Sequence, residues 1–264
     1  MTASRAMRLY QYIVDLCPDS NDALVMESRI EILKADINLG DDSNVLADFN
    51  DLIEDFNDIH SLPRKLADRG DEFFYRKDYP KAIAIWEMVL TKYPGREPNY
   101  LAYVLGTSYE RLKDYATAIK YYELSVEKYP NCIHAYRVPY QLGLVYRTLG
   151  EYDKAIEWFK QQRMLFPDKE QFVERALMSQ AAVLYYELKD YEKAAQIYER
   201  FIGDFPNASR IATVHLFLAR CHVKLGHEDL AKGVLEDAMV KFGDSERAEA
   251  VRNELEELRK GGGK

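Results

Sequence analysis

His215 and His222 stand seven residues apart with Cys221 beside the second, the nearest this chain comes to a metal-ligating pattern. Side chains seven apart on a helix share a face, and two imidazoles on one face hold zinc when carboxylates or thiolates converge on them. Cys221 points away from His222 by one helical step, and both histidines fall at positions that are otherwise apolar. Packed, hydrogen-bonded rings are therefore the expectation, with no metal and no other cofactor. Cys17, Cys132 and Cys221 are too scattered for a C-x-x-C pair, and reduced thiols are expected. No G-x-S-x-G, phosphate-binding loop, H-E-x-x-H or dinucleotide fingerprint occurs. Carboxylates alternate with lysines, as in "EYDKAIEWFK", the pattern of a solvated helix face. No enzyme is expected.

Arg111, Arg137 and Arg147 are candidates of another kind. The chain has 36 Lys and Arg against 44 Asp and Glu, a net charge of −8, so a local group of arginines reverses the prevailing sign. A guanidinium forks onto a carboxylate with two hydrogen bonds. The same net charge, with no basic block, argues against a phosphate-binding surface, and no nucleic-acid partner is expected. No apolar run approaches the ~18 residues that span a bilayer, so no direct membrane insertion is expected. Arg5 and Arg8 precede no apolar stretch, so the start is not a signal peptide. A soluble domain, cytoplasmic or periplasmic, is expected, with the compartment left open.

The elements that carry these residues repeat. "KDYPKAIAIWEMVLTKYP" (77–94), "KDYATAIKYYELSVEKYP" (113–130), "GEYDKAIEWFKQQRMLFP" (150–167) and "KDYEKAAQIYERFIGDFP" (189–206) align without a gap. Tyr79, Tyr115, Tyr152 and Tyr191 each precede by three an alanine: Ala82, Ala118, Ala155 and Ala194. Trp86, Tyr122, Phe159 and Tyr198 follow it by four, and Pro94, Pro130, Pro167 and Pro206 by twelve. Upstream, Gly70, Gly106, Gly143 and Ala182 sit twelve before the alanine, with Phe73, Tyr109, Tyr146 and Tyr185 three later. Apolar recurrence at three and four is helical. Small residues let backbones approach while aromatics fill the space beside them. Each unit is thus two antiparallel helices joined by a short turn.

This spacing resembles the tetratricopeptide repeat: small at 8, aromatic at 11, Tyr at 17, Ala at 20, aromatic at 24, Pro at 32. The proline intervals of 36, 37 and 39 exceed the family's usual 34 and resemble longer-period bacterial repeats. The fold so implied is all-α, a right-handed solenoid over 1–260. It comprises a half repeat (3–18), a degenerate repeat (21–57), repeats at 63–94, 97–130, 134–167, 172–206 and 208–242, and a capping helix (245–260), followed by a flexible tail (261–264). In 21–57, Gly40, Val45, Phe49 and Phe56 fit the pattern and Asp36 replaces an aromatic. The opening "ASRAMRLYQYIVDLCPDSNDA" has Ala6, Tyr10, Ile13 and Pro18 at second-helix spacing without a first helix before them. Excision from a longer array and a native cap both account for this, and the standard landmarks favour excision. This N-terminal edge is expected to support self-association or, in the natural protein, to pack on another repeat.

The resemblance also implies that positions 2, 5, 9, 12 and 13 of each first helix line a concave groove. Residue by residue these are Arg64, Asp71, Phe74 and Tyr75; Tyr100, Tyr103, Thr107, Glu110 and Arg111; Arg137, Tyr140, Leu144 and Arg147; and Ser179, Val183, Tyr186 and Glu187. The family's lysine–asparagine clamp for a terminal carboxylate is absent at positions 5 and 9. Two functions follow. One is a non-catalytic scaffold binding a peptide or protein segment in the groove, with an acidic side chain or C-terminus at the arginines. The other is a structural module that joins copies, or the rest of a longer chain, through its ends. A weaker third is an accessory domain of a multidomain enzyme. Against the groove stands a plainer account, in which the tyrosines pack between repeats and the arginines pair with Glu110 and Glu187.

Overall fold

Short turns set the register of every pair. The computed structural model describes residues 3–16, 22–39, 43–243 and 248–261, and these contain helices and no strands. Cys17, Pro18, Gly40, the first residues of the expected cap and residues 262–264 lie outside them. The chain divides into two compact units, Met1–Ile133 and His134–Lys264. The first holds α1 (Ala3–Leu16), α2 (Ala23–Leu39), α3 (Val45–Phe56), α4 (Leu62–Tyr75), α5 (Tyr79–Lys92), α6 (Leu101–Arg111) and α7 (Tyr115–Lys128). The second holds α8 (Val138–Thr148), α9 (Tyr152–Leu165), α10 (Glu170–Ala182), α11 (Tyr191–Asp204), α12 (Ile211–Lys224), α13 (Glu228–Phe242) and α14 (Glu249–Gly261). Hairpin partners α4 and α5, α6 and α7, α8 and α9, and α12 and α13 pack most closely, and each second helix also touches the next first helix within its unit.

The turns are built from two devices. Lys77, Lys113 and Lys189 take left-handed backbone (φ 65°, 63° and 54°), where Gly150 and Gly226 stand in the sibling turns. This reversal ends the first helix. The next residue, Asp78, Asp114 or Asp190, accepts the backbone N–H of Lys81, Thr117 or Lys193 at 3.3, 3.1 and 3.0 Å and starts the second. His227 occupies the same place with similar backbone angles (φ −98°, ψ 62°) and makes no side-chain cap bond. His227→Asp is expected to stabilise the protein by about 1 kcal/mol, read as a raised thermal midpoint; no change or a fall would mean the backbone there cannot accept the cap.

The core forms where a first helix comes close to the aromatic of its second. A Cβ on Gly70 would lie 2.3 Å from Trp86 Nε1, one on Gly106 2.6 Å from Tyr122 Cδ1, and one on Gly143 2.4 Å from Phe159 Cε1. Those rings are 0–1% exposed, and Trp86 Nε1–H donates to Ala67 O at 3.0 Å. The glycines are needed for close approach.

The next repeat departs from the expected register. A π-helical turn, Val183–Glu187, follows α10. Leu188 N–H donates to Val183 O and Asp190 N–H to Leu184 O, five and six residues back. In the turn after α6, Leu112 N–H donates to Ser108 O and Asp114 N–H to Tyr109 O, four and five back. One extra residue is accommodated. Upstream of it the counterpart of Gly106 is therefore Ala181, 0% exposed, and not Ala182, which is half-buried. The constant distance to Ala194 concealed the insertion.

Candidate interaction surface on the first helices

In the first unit the candidate positions are knitted to one another. Tyr100 is 9% exposed; Arg64 lies over its ring at 5.1 Å, and its hydroxyl donates to Asp71 at 3.1 Å. Burial, then the Asp71 charge, push the Tyr100 phenol well up, and burial also raises Asp71. Thr107 Oγ1 accepts from Tyr122 OH at 3.3 Å and donates to Tyr103 O at 3.0 Å, while Tyr103 packs 6.2 Å from the Tyr122 ring. Glu110 accepts Tyr122 OH at 2.6 Å, so it is held from within its own repeat. Phe74 sits among Tyr75, Tyr79 and Trp86. Tyr75 is 81% exposed and Arg111 is exposed. Tyr100 thus serves packing, while Tyr75 and Arg111 face solvent.

In the second unit the arginines are regrouped. Arg137 donates from Nε to Tyr136 OH at 3.0 Å, and its guanidinium lies 5.9 Å from the centre of Phe172. Arg175 lies over the same ring at 5.6 Å. Tyr136 and Tyr140 meet Phe172 edge-on at 5.0 and 6.2 Å, and Tyr140 also packs on Phe159. Arg147, further along α8, pairs with Glu187 at 3.7 Å, as the plainer account expects, and Glu187 also accepts Tyr152 OH. Leu144 is half-buried. Tyr186, 53% exposed, packs against Tyr185 and Phe217, and Arg220 covers Phe217 at 5.6 Å while binding Glu254 through two nitrogens. Val183 is fully buried, which corrects its placement in the groove. With the π turn counted, Met178 and not Ser179 matches Tyr103.

Phe172, Tyr136, Arg175, Arg210 and Phe217 were not among the expected site residues. Their sequence signals are the longest proline interval, 39, and two first-helix segments without a carboxylate, 134–150 and 205–227.

The histidine pair is packed. His215, 3% exposed, bonds through Nδ1 to Ile211 O at 2.9 Å and meets the Phe242 ring edge-on. Burial lowers the pKa of His215 and His222 alike. Burial pushes the Cys221 thiol up to about 12, so it is an unreactive thiol at neutral pH. Among the described residues no three His, Cys, Asp or Glu are grouped to hold a metal, and no helix is long and apolar enough to cross a membrane.

Residues 67–131, 136–167 and 176–208 match three family models, each described as a tetratricopeptide repeat. No curated protein matches the sequence. Solved structures with a similar fold include the MamA protein, at 19% identity over 69% of this chain and 93% of that one (TM-score 0.55). The C-terminal part of a TPR repeat-containing protein from Cytophaga hutchinsonii is similar at 14% identity over 93% of each chain (TM-score 0.60). So is the apo form of RapI, at 14% over 94% of this chain and 78% of that one (TM-score 0.58). At these identities the likeness is one of fold. The helix pairs, their landmark side chains and the three matched segments make this chain a tetratricopeptide-repeat protein, an all-α repeat fold of the protein–protein interaction class.

Proposed function

We propose that the protein is a non-catalytic scaffold whose first helices bind a peptide or protein segment. One observation supports this most. The second-helix aromatic four residues past each landmark alanine (Trp86, Tyr122, Phe159, Tyr198) is at most 2% exposed, whereas first-helix positions 12 and 13 keep Tyr75 and Tyr186 81% and 53% exposed beside arginines. Large rings and arginines dominate the energetics of protein interfaces. The test is capture of partners from the native source with the intact chain and with a Tyr140→Ala/Arg147→Ala variant. Loss of capture with helicity and sedimentation unchanged is expected. Undiminished capture sinks the reading.

A second reading, self-assembly through α1, has its own support. Leu9, Tyr12 and Leu16 are 52%, 60% and 61% exposed, although Leu9 occupies the place that Ile85, 0% exposed, holds in α5. Burying such side chains stabilises contact by about 1.5–3 kcal/mol each. In this reading a second copy covers them, so Leu9→Lys shifts a concentration-dependent dimer to monomer in sedimentation. A wild-type chain that stays monomeric at high concentration excludes it.

A further inference from the structure

We infer that the first-helix layer of the second unit is a receptor for an acidic segment of a partner protein. This rests on the groove reading above and adds the chemistry of the occupant. The layer is set apart by charge. In a chain with 44 Asp and Glu, the segments 134–150 and 205–227, which carry α8 and α12, contain none. They bring Arg137, Arg147, Arg210, Arg220 and Lys224. Between them α10 and its π turn add Arg175 and the only carboxylates, Glu170, Glu174 and Glu187. Glu187 is engaged by Arg147 at 3.7 Å, and Arg220 by Glu254 of α14. The layer keeps a positive excess within an acidic protein.

That excess is concentrated around one ring. Arg137, in the short turn just ahead of α8, and Arg175, on α10, both place their guanidinium groups over Phe172, at 5.9 and 5.6 Å. A guanidinium lying on an aromatic face is restrained in orientation. Little side-chain freedom is then lost on binding, and the fork selects a carboxylate geometrically. Beside Arg175 a cavity of about 140 Å³ is lined by Gln171, Glu174, Arg175, Met178, Ser209 and Arg210. Two arginines and one carboxylate line it, and Met178 supplies an apolar wall for the stem of a glutamate or a neighbouring apolar side chain. A phosphate polymer fits this less well. The cations are spaced by aromatic rings and do not form a continuous stripe, and the whole chain, at −8, repels a polyanion of high charge density.

An array of equal-length peptides graded in net charge, probed with the full chain, tests this. Acidic peptides are expected to be retained over neutral and basic ones. Arg137→Glu/Arg175→Glu, with helicity verified by circular dichroism, is expected to weaken that binding about tenfold or more. Arg163→Glu is the control, since Arg163 lies on α9 in an exposed pair with Asp204, and it should leave binding unchanged. Retention that ignores peptide charge, or a charge-reversed variant that binds as well as the native chain, overturns the acidic preference and leaves the groove reading standing. Retention of no peptide overturns both. Tighter binding of a single-stranded oligonucleotide than of any acidic peptide overturns the proposal in favour of nucleic acid.

Discussion

Trp86→Ala is expected to destabilise the protein by about 4 kcal/mol, as fully buried aromatics do when truncated. Trp86 is 0% exposed, fills the space opposite Gly70 and donates its indole N–H to Ala67 O, so both volume and a hydrogen bond are lost. Gly70→Ala should cost about 2 kcal/mol from the other direction, because its Cβ would stand 2.3 Å from Trp86 Nε1 and the buried ring has no room to retreat. The chain itself shows how such a pair can be resized. Gly stands opposite Trp86, Tyr122 and Phe159, whereas Ala219 and Leu235 share the last repeat's core, both 0% exposed. Gly70→Ala/Trp86→Leu should therefore cost clearly less than the two single substitutions together, measured by urea denaturation. Strict additivity would show that the two side chains do not compete for one space.

Glu97→Ala should cost about 2 kcal/mol, the next largest loss expected. Glu97 lies in the connection between α5 and α6, with its side chain only 2% exposed. Lys128 Nζ and Tyr129 OH, at the end of α7, donate to its Oε1 at 2.7 and 2.5 Å. The carboxylate thus ties the start of the repeat 97–130 to its own closing turn. Lys128 is half exposed and rehydrates when the carboxylate is removed, which keeps the loss below that of a fully buried pair. Burial alone would raise the pKa of Glu97, but the hydrogen bonds from Lys128 and Tyr129 outweigh it and hold the group below 4.5. A carboxylate with a depressed folded pKa stabilises fully above its unfolded pKa and loses that contribution as pH falls through the folded one. The difference between native chain and variant should be constant near neutrality and shrink below about pH 4.5. A gap that persists in acid would assign the effect to packing and not to charge.

The charge sorting in the second unit gives these structural features a functional sense. Its second helices and α14 carry most of the acidic residues, and the first helices carry arginines braced on aromatic rings. Packing of the small–aromatic pairs keeps that layer rigid, so the arginines are presented with little freedom to lose. In the proposed reading, stability at the Gly–aromatic contacts and selectivity at the surface reside on opposite faces of the same helices.

Residue spacing was enough to place the helix pairs, their turns and the buried aromatic at each second helix. These depend on contacts within about forty residues and on side-chain size at fixed spacing, as with Gly106 and Tyr122. It also identified Arg137, Tyr140 and Tyr186 as candidates from repeat position alone. Which of them meet depends on the packing of successive repeats. Arg137 joins Arg175 through Phe172, a residue of the neighbouring repeat, while Arg147 is drawn to Glu187. The π turn at Val183–Glu187 was equally hidden, because one added residue leaves every downstream landmark in place and shifts only those upstream. Spacing records where a side chain leaves its own helix; its neighbours depend on how successive helices pack, which no single repeat encodes.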